Sequence, residues 1–431
     1  MDVSVLMLII FISLSMLRSP ISFSMLIAAT VAIWVKGDIP FTAIHTNLTS
    51  GILKFDYLAI PFFIMAAFVM NRGGTTRQIF SFSDLLVGWI RGGLAHTNIL
   101  ASMIFAGISG SSSADAAGLG AVEVEMMSKA GYNRAFSAAI SAVSSVVGPI
   151  IPPSIMLVIY GVTAEVSIGR LFLGGLVPGI LIGLILMISV YIQSYIWKSK
   201  FPPTRSKPKP KELLSGFLNV LPALGAPLII IGGIILGIMT PTESGAVAVV
   251  YAITISIFYK QMSFKNFYEA CKDAIFASSL IMFLIATAHT ITFVLIIEQS
   301  AIRMMEALSF LFVNKIVSLI TLNILILIVG CFLEGMPAML ILISLILPIW
   351  THLGLDPVHF GVVLVYNLLI GTLTPPMSVT LFIMSAVNKI PFEDILKETV
   401  IFYIPLIISL MLITFFPQIV LFLPNMVFGV N

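Results

Sequence analysis

Residues able to bind an ion or a small polar solute fall in four short stretches of an otherwise apolar chain. The first is Gly107-Ile108-Ser109-Gly110-Ser111-Ser112-Ser113-Ala114-Asp115. Its glycines permit backbone conformations closed to other residues, and its small hydroxyls supply oxygens without bulk. A break between two half-helices there would expose carbonyls on one side and N–H groups on the other. Carbonyls and hydroxyls suit a hard cation such as Na⁺, and N–H groups at a helix start suit an anionic substrate group. The same small residues would also serve close helix packing. The second stretch is Phe332-Leu333-Glu334-Gly335-Met336-Pro337. A carboxylate inside an apolar segment is costly and points to function. Glu334 could ligate a cation, carry a proton or cap the following half-helix, since acids favour helix N-termini.

The other two stretches end in paired prolines: Ser144-Ser145-Val146-Val147-Gly148-Pro149-Ile150-Ile151-Pro152-Pro153 and Asn367-Leu368-Leu369-Ile370-Gly371-Thr372-Leu373-Thr374-Pro375-Pro376. Proline lacks a donor and frees the carbonyl four residues earlier. Free carbonyls beside Ser, Asn and Thr oxygens would form a Na⁺ cage. A simple kink explains the prolines but not the polar residues before them. The expected substrate-binding set is Ser111, Ser112, Ser113, Asp115, Pro152, Glu334, Gly335 and Pro375. One expected Na⁺ set is Ser109, Gly110, Ser111, Ser144, Ser145 and Gly148; the other is Glu334, Gly335, Met336, Asn367, Gly371, Thr372 and Thr374.

Weaker signals lie elsewhere. Thr240-Pro241-Thr242-Glu243 reads as a helix start with Thr capping, and His289 among threonines as a packed, hydrogen-bonded histidine. Glu123 and Glu125 are expected toward the cytoplasmic face. Cys271 and Cys331 are too few and too far apart to suggest a structural disulfide or a metal site.

The elements that must position these residues are set by composition. The chain has 431 residues, 59% apolar and 10% charged, against about 25% charged in soluble domains. Apolar runs of about 20 residues, enough to span a bilayer core, recur throughout. A soluble enzyme, a disordered chain and a nucleic-acid binder are excluded. So is an outer-membrane barrel, because the runs do not alternate with period two. The net charge of +3 points to no polyanionic partner. The first run lacks a basic region or cleavage site before Arg18 and is expected to be a retained helix.

Ten spans are expected, at about 3–17, 20–36, 56–71, 135–161, 171–197, 217–238, 242–259, 275–297, 359–386 and 399–423. Segments 94–128 and 316–351 are broken near the middle and read as re-entrant hairpins. Irregular backbone is tolerated at membrane depth only when buried in protein or lining a cavity. The basic, Pro-rich stretch Lys198–Lys211 is expected to be a cytoplasmic linker, extended and solvated. Counting spans from it puts Arg18, Arg72/Arg77, Lys129/Arg134, Lys260/Lys265 and Lys389/Lys397 on the same side and both termini outside. Stretches 77–91 and 263–273 read as interfacial amphipathic helices.

The chain also repeats itself. Gly107, Gly131, Gly148, Pro152 and Pro153 match Gly330, Gly354, Gly371, Pro375 and Pro376, each pair 223 residues apart. By the same offset Glu334 matches Ser111. Each half holds five spans and a hairpin, so the halves, 1–199 and 215–431 about the 200–214 linker, are expected to be inverted. Inverted repeats with paired broken segments are a signature of secondary transporters, with the site at the repeat interface.

Together the motifs resemble the large membrane subunit of the tripartite ATP-independent periplasmic (TRAP) transporters, the DctM-like family. The resemblance is carried by AGISGSSSADAAGLG (106–120), VGPIIPPS (147–154), GGLVPG (174–179), GIMTPTESGAVAVVYA (237–252), GCFLEGMPAMLILISLILPI (330–349) and LGLDPVHFGVVLVYNLLIGTLTPP (353–376). It implies an all-α polytopic membrane protein working as an elevator, with a mobile transport domain of about 94–161 and 316–386 on a scaffold of the remaining spans. It implies Na⁺ coupling with no other cofactor, and organic-acid substrates such as dicarboxylates, sialic acid and related sugar or keto acids. It further implies a separate small four-helix membrane subunit, a periplasmic substrate-binding protein, and residence in the bacterial inner membrane. Aspartate is common in the family where Glu334 stands, so local geometry is expected to differ.

Three competing readings are weaker. A stand-alone ion-coupled carboxylate carrier would use the same site without the partners. An intramembrane hydrolase would need a base beside Ser111–Ser113, and no His or Lys matches their depth. A channel does not need two oppositely oriented occluding hairpins. The chain has no phosphate-binding GxxxxGK[ST] loop.

Overall fold

The computed structural model of the protein describes residues 2–17, 19–197, 201–202, 205–259, 261–307 and 314–429. The boundary positions Arg18 and Lys260 and the linker residues Lys198 and Lys200 lie outside them. Every regular element described is helical. The first half comprises α1 (Val3–Met16), α2 (Ile21–Lys36), α3 (Thr42–Ser50), α4 (Ala59–Arg72), α5 (Thr75–Val87), α6 (Gly93–Ser109), α7 (Ser112–Ala117), α8 (Leu119–Lys129), α9 (Arg134–Ser144), α10 (Ile155–Ala164) and α11 (Ile168–Ile196). The second comprises α12 (Pro210–Ile235), α13 (Pro241–Phe258), α14 (Phe264–Ile297), α15 (Ser300–Ala307), α16 (Lys315–Phe332), α17 (Gly335–His352), α18 (Pro357–Gly371), α19 (Val379–Asn388), α20 (Phe392–Thr399), α21 (Tyr403–Phe415) and α22 (Gln418–Phe428).

Among the described residues, eight helices are long and apolar enough to cross a membrane. Their outer faces carry exposed Leu218, Leu228, Ile275 and Phe276, as expected where the surrounding solvent is lipid. Local sequence sets the breaks. Asn133 caps α9 by accepting from the N–H groups of Ala135 and Phe136. Ser154 caps α10 through the N–H of Leu157 at 3.1 Å. Asp356 caps α18, whose first residue is Pro357. Both paired-proline bonds, Pro152-Pro153 and Pro375-Pro376, are cis.

The two halves interleave. The leading arm of the first hairpin, α6, packs on α9, and that of the second, α16, packs on α18. The continuation of each broken helix then crosses to the other half. Helix α10 packs on α17 and α18, and α19 packs on α7, α8 and α9. Tyr160 of α10 donates to the carbonyl of Pro357 at 2.6 Å across this seam. A second group of helices sits alongside, with α4 against α13 and α14, α12 against α5 and α13, and α2 against α1 and α14.

Four local expectations change. The 263–273 stretch is not a separate helix but the first turns of α14, a 34-residue helix. At 1.5 Å per residue it is about 50 Å long, more than a bilayer core, so one end projects beyond it. The 399–423 span divides at Phe416–Pro417 into α21 and α22, where proline cannot continue the preceding ladder. Residues 42–50 form a helix, α3, that the polar stretch TAIHTNLTS did not announce. The described part of the linker is not a free hinge. Phe201 stacks edge-on against Phe136 at 5.4 Å, Arg205 pairs with Asp84 at 2.7 Å, and the Lys207 ammonium lies over the Trp89 ring. Aromatic and charged groups on α5 and α9 give it somewhere to dock.

Candidate functional site

The first hairpin turns at Gly110–Ser111, between α6 and α7. Gly110 has φ +58°, and an added Cβ would meet the Pro153 carbonyl oxygen at 2.6 Å. Only glycine fits there. Just past the turn, Asp115 is 2% exposed. The Ser109 hydroxyl donates to its Oδ1, while Oδ2 has no hydrogen-bond partner among the described residues. An added Cβ on Gly148 would meet Oδ2 at 2.5 Å and the Ser145 carbonyl oxygen at 3.1 Å. Ser109, Asp115, Ser145 and Gly148 therefore meet around one unused carboxylate oxygen.

The second hairpin turns at Leu333–Glu334, between α16 and α17. Glu334 occupies the cap position of α17, yet its side chain makes no capping hydrogen bond. It faces a narrow crevice shared with Ser111, Ser112 and Ser113 of the first tip and with Thr372 and Thr380. Met156, Leu369 and Val379 supply apolar walls. Thr380 donates through its hydroxyl to Thr372 Oγ1 at 3.2 Å. A wider, mostly apolar cavity adjoins. It shares Ser111 and Met336 with the crevice and is closed by Phe68 and Asn71 of α4 and Ala277 and Ile281 of α14.

The expected residues divide accordingly. Ser111, Ser112, Ser113, Glu334, Gly335, Met336 and Thr372 come together. Asp115, Pro152 and Pro375 do not line the crevice: Asp115 turns to Ser109 and Gly148, Pro152 is buried, and Pro375 is exposed. Ser144 turns its hydroxyl away, to Asn98 Oδ1 at 2.8 Å. Asn367 donates through Nδ2 to the side-chain and backbone oxygens of Asn323, both at 2.9 Å. Thr374 donates back to the Ile370 carbonyl at 2.9 Å. Gly371 serves packing, because an added Cβ would meet the Gly330 carbonyl carbon at 2.5 Å. Gly110 also reads as a turn residue first. The weaker signals resolve too. Thr240 and Glu243 form a capping box on α13, His289 packs beside Gly51, and both cysteines are free thiols.

A family model described as "Tripartite ATP-independent periplasmic transporter, DctM component" matches residues 8–419. The chain belongs to this family. A Vibrio cholerae relative named sialic acid TRAP transporter large permease protein SiaM is 36% identical over 95% of this chain and 96% of its own. The C4-dicarboxylate TRAP transporter large permease protein DctM of Pseudomonas aeruginosa is also 36% identical, over 92% of each chain. The isethionate TRAP transporter permease protein DctMQ of Oleidesulfovibrio alaskensis is 38% identical over 92% of this chain and 62% of its own. Among solved structures, the Alcanivorax borkumensis YdaH transporter covers 88% of each chain at 14% identity with a TM-score of 0.62, a likeness of fold. The chain is thus a large permease subunit of a TRAP transporter, a multi-pass membrane protein and not an enzyme.

Sequence reading of this permease missed Thr380, Asn98, Ser102, Ser141 and Asn323. Ser102 donates to Ser144 Oγ at 2.9 Å, and Asn98 donates through Nδ2 to Ser141 Oγ at 2.5 Å. A lone Asn within an apolar arm, as at Asn98 and Asn323, was the available signal. Glu123 and Glu125 also part company. Glu125 is exposed and pairs with Lys129 at 2.5 Å, whereas Glu123 is buried. Residues two apart on a helix do not share a side, so α8 turns one carboxylate into the packed interior and the other outward.

Proposed function

We propose that this permease imports an organic acid across the bacterial inner membrane, driven by a Na⁺ gradient. A periplasmic binding protein delivers the acid, and a small membrane subunit supports the permease. The observation that carries the reading is the meeting of both hairpin tips in one crevice lined by Ser111–Ser113, Glu334, Thr372 and Thr380. Among the described residues, no Lys or Arg lines that crevice. An acid's negative charge would then be met by N–H groups where α7 and α17 begin and by co-bound Na⁺. The unused Asp115 oxygen beside Ser109, Ser145 and Gly148 has the hard oxygen chemistry that suits Na⁺. The relatives named for sialic acid, C4-dicarboxylates and isethionate support an organic anion as cargo. Movement would carry the hairpin-bearing helices past α4 and α14, across the apolar cavity that separates them, in the manner of an elevator.

The test is uptake into proteoliposomes holding the permease and its small subunit, with the binding protein outside. Uptake should require both the binding protein and a Na⁺ gradient. Uptake that survives replacement of Na⁺ by choline defeats the coupling. Uptake that survives omission of the binding protein and small subunit makes the chain a stand-alone carrier.

A further inference from the structure

Glu123 stands on α8, the return arm of the first hairpin, outside the crevice and both expected Na⁺ sets. Its side chain is buried, and Oε1 has no hydrogen-bond partner among the described residues. The side chains of Ser141 and Asn98 lie beside the carboxyl. They end a hydrogen-bond chain of one sense. Ser102 donates to Ser144, Ser144 to Asn98, and Asn98 to Ser141, at 2.9, 2.8 and 2.5 Å. Ser141, having accepted from Asn98, keeps its own proton to donate toward Glu123.

No counter-charge faces this carboxyl among the described residues. The charged group that acts on it is Asp115 of α7, another acid. On α9, Arg134 donates to the Asn388 carbonyl at 2.9 Å. On α8 itself, Lys129 pairs with Glu125. Lys389 at the end of α19 is exposed. His96 on α6 is buried, with neither ring nitrogen hydrogen-bonded. An ionised carboxylate without a counter-ion in an apolar interior costs far more than a neutral carboxyl with one unused hydrogen. A metal ion would need several free oxygens, and Asn98, Ser102, Ser141 and Ser144 are already engaged with one another. A proton needs one.

We propose that Glu123 is a proton-binding site, held in the folded permease as the neutral carboxylic acid with its proton on Oε1. The proton comes from bulk water and returns there when the pH rises. Its loss leaves an ionised Glu123 without a counter-charge inside the hairpin and loosens α8 from α9.

Infrared difference spectroscopy of the permease with its small subunit in lipid tests this without relying on transport. The wild type should show a neutral-carboxyl C=O band at neutral pH that bleaches reversibly in alkali, and E123Q should lack it. In uptake assays E123Q should keep the wild-type half-saturating Na⁺ concentration and lose the alkaline decline in rate. Should E123Q fail to assemble, Ser141→Ala serves, because removing a donor to the ionised form should move the bleaching to higher pH. A missing wild-type band, or one unchanged in E123Q, overturns the proposal. So does a band that persists at every pH where the protein stays folded, bleaching of Ser141→Ala at lower pH, or a several-fold rise in half-saturating Na⁺ in E123Q.

Discussion

Glu334 occupies a helix-capping position without capping: its carboxyl turns into the crevice instead of onto the first N–H groups of α17. A good N-cap there would contribute about 1 kcal/mol, so the residue is better suited to the crevice than to the helix. Glu334→Ser should therefore raise the thermal midpoint in detergent while cutting uptake by tenfold or more. A variant that transports normally would remove Glu334 from the site. Asn367 is the opposite case, holding Asn323 across the α16–α18 seam with two hydrogen bonds while its own Oδ1 is buried and unpaired. Asn367→Ala should cost about 1–3 kcal/mol, the usual penalty for stranding a buried polar partner, read as a lower thermal midpoint. Sequence singled out Glu334 because a carboxylate in an apolar run is rare, and the structure sets it beside Ser111–Ser113. It could not see that Asn367 faces another Asn, since that contact joins residues far apart in the chain.

At the scale of elements, the matched glycines show how far a repeat can be read. Gly148 and Gly371 correspond in the two halves, yet the first leaves room for the Asp115 carboxylate and the second for the backbone of Gly330. Backbone cannot swing aside as a side chain can. Gly371→Ala should force α16 and α18 apart, costing about 1–3 kcal/mol as overpacking does and lowering uptake with it. Measured stability equal to wild type would mean the seam is looser than the geometry shows. Helix breaks at Gly110–Ser111, Leu333–Glu334 and the paired prolines were legible, because Gly, Pro and small polar residues punctuate apolar runs. The continuation of 263–273 into α14 was not, since an amphipathic start and an apolar finish look like two elements when read locally.

Across the whole molecule, each hairpin leans on the other half: α17 on α10, and α7 and α8 on α19. Residues 1–199 or 215–431 expressed alone should fail to accumulate, and co-expression should restore a folded complex. Either half accumulating alone, folded and monodisperse, would contradict the interleaving. If the permease binds Na⁺ in its folded form, Na⁺ should raise the thermal midpoint where choline does not. At a hundred times the dissociation constant the gain is about 2.7 kcal/mol per site; an identical midpoint in the two salts would count against a Na⁺ site.

Hydropathy, punctuation and the 223-residue offset are properties of neighbouring residues and their order. By themselves they determined a membrane-embedded helical chain and where its helices break, and they raised the expectation of two related halves with chemistry at the breaks. The tertiary structure decided which breaks meet. It joined Ser111–Ser113 to Glu334, sent Asp115 to Gly148, and enclosed Glu123 behind Asn98 and Ser141. Helical periodicity fixes the face a residue occupies, but what that face touches depends on how distant helices pack, and packing is not encoded in any local stretch.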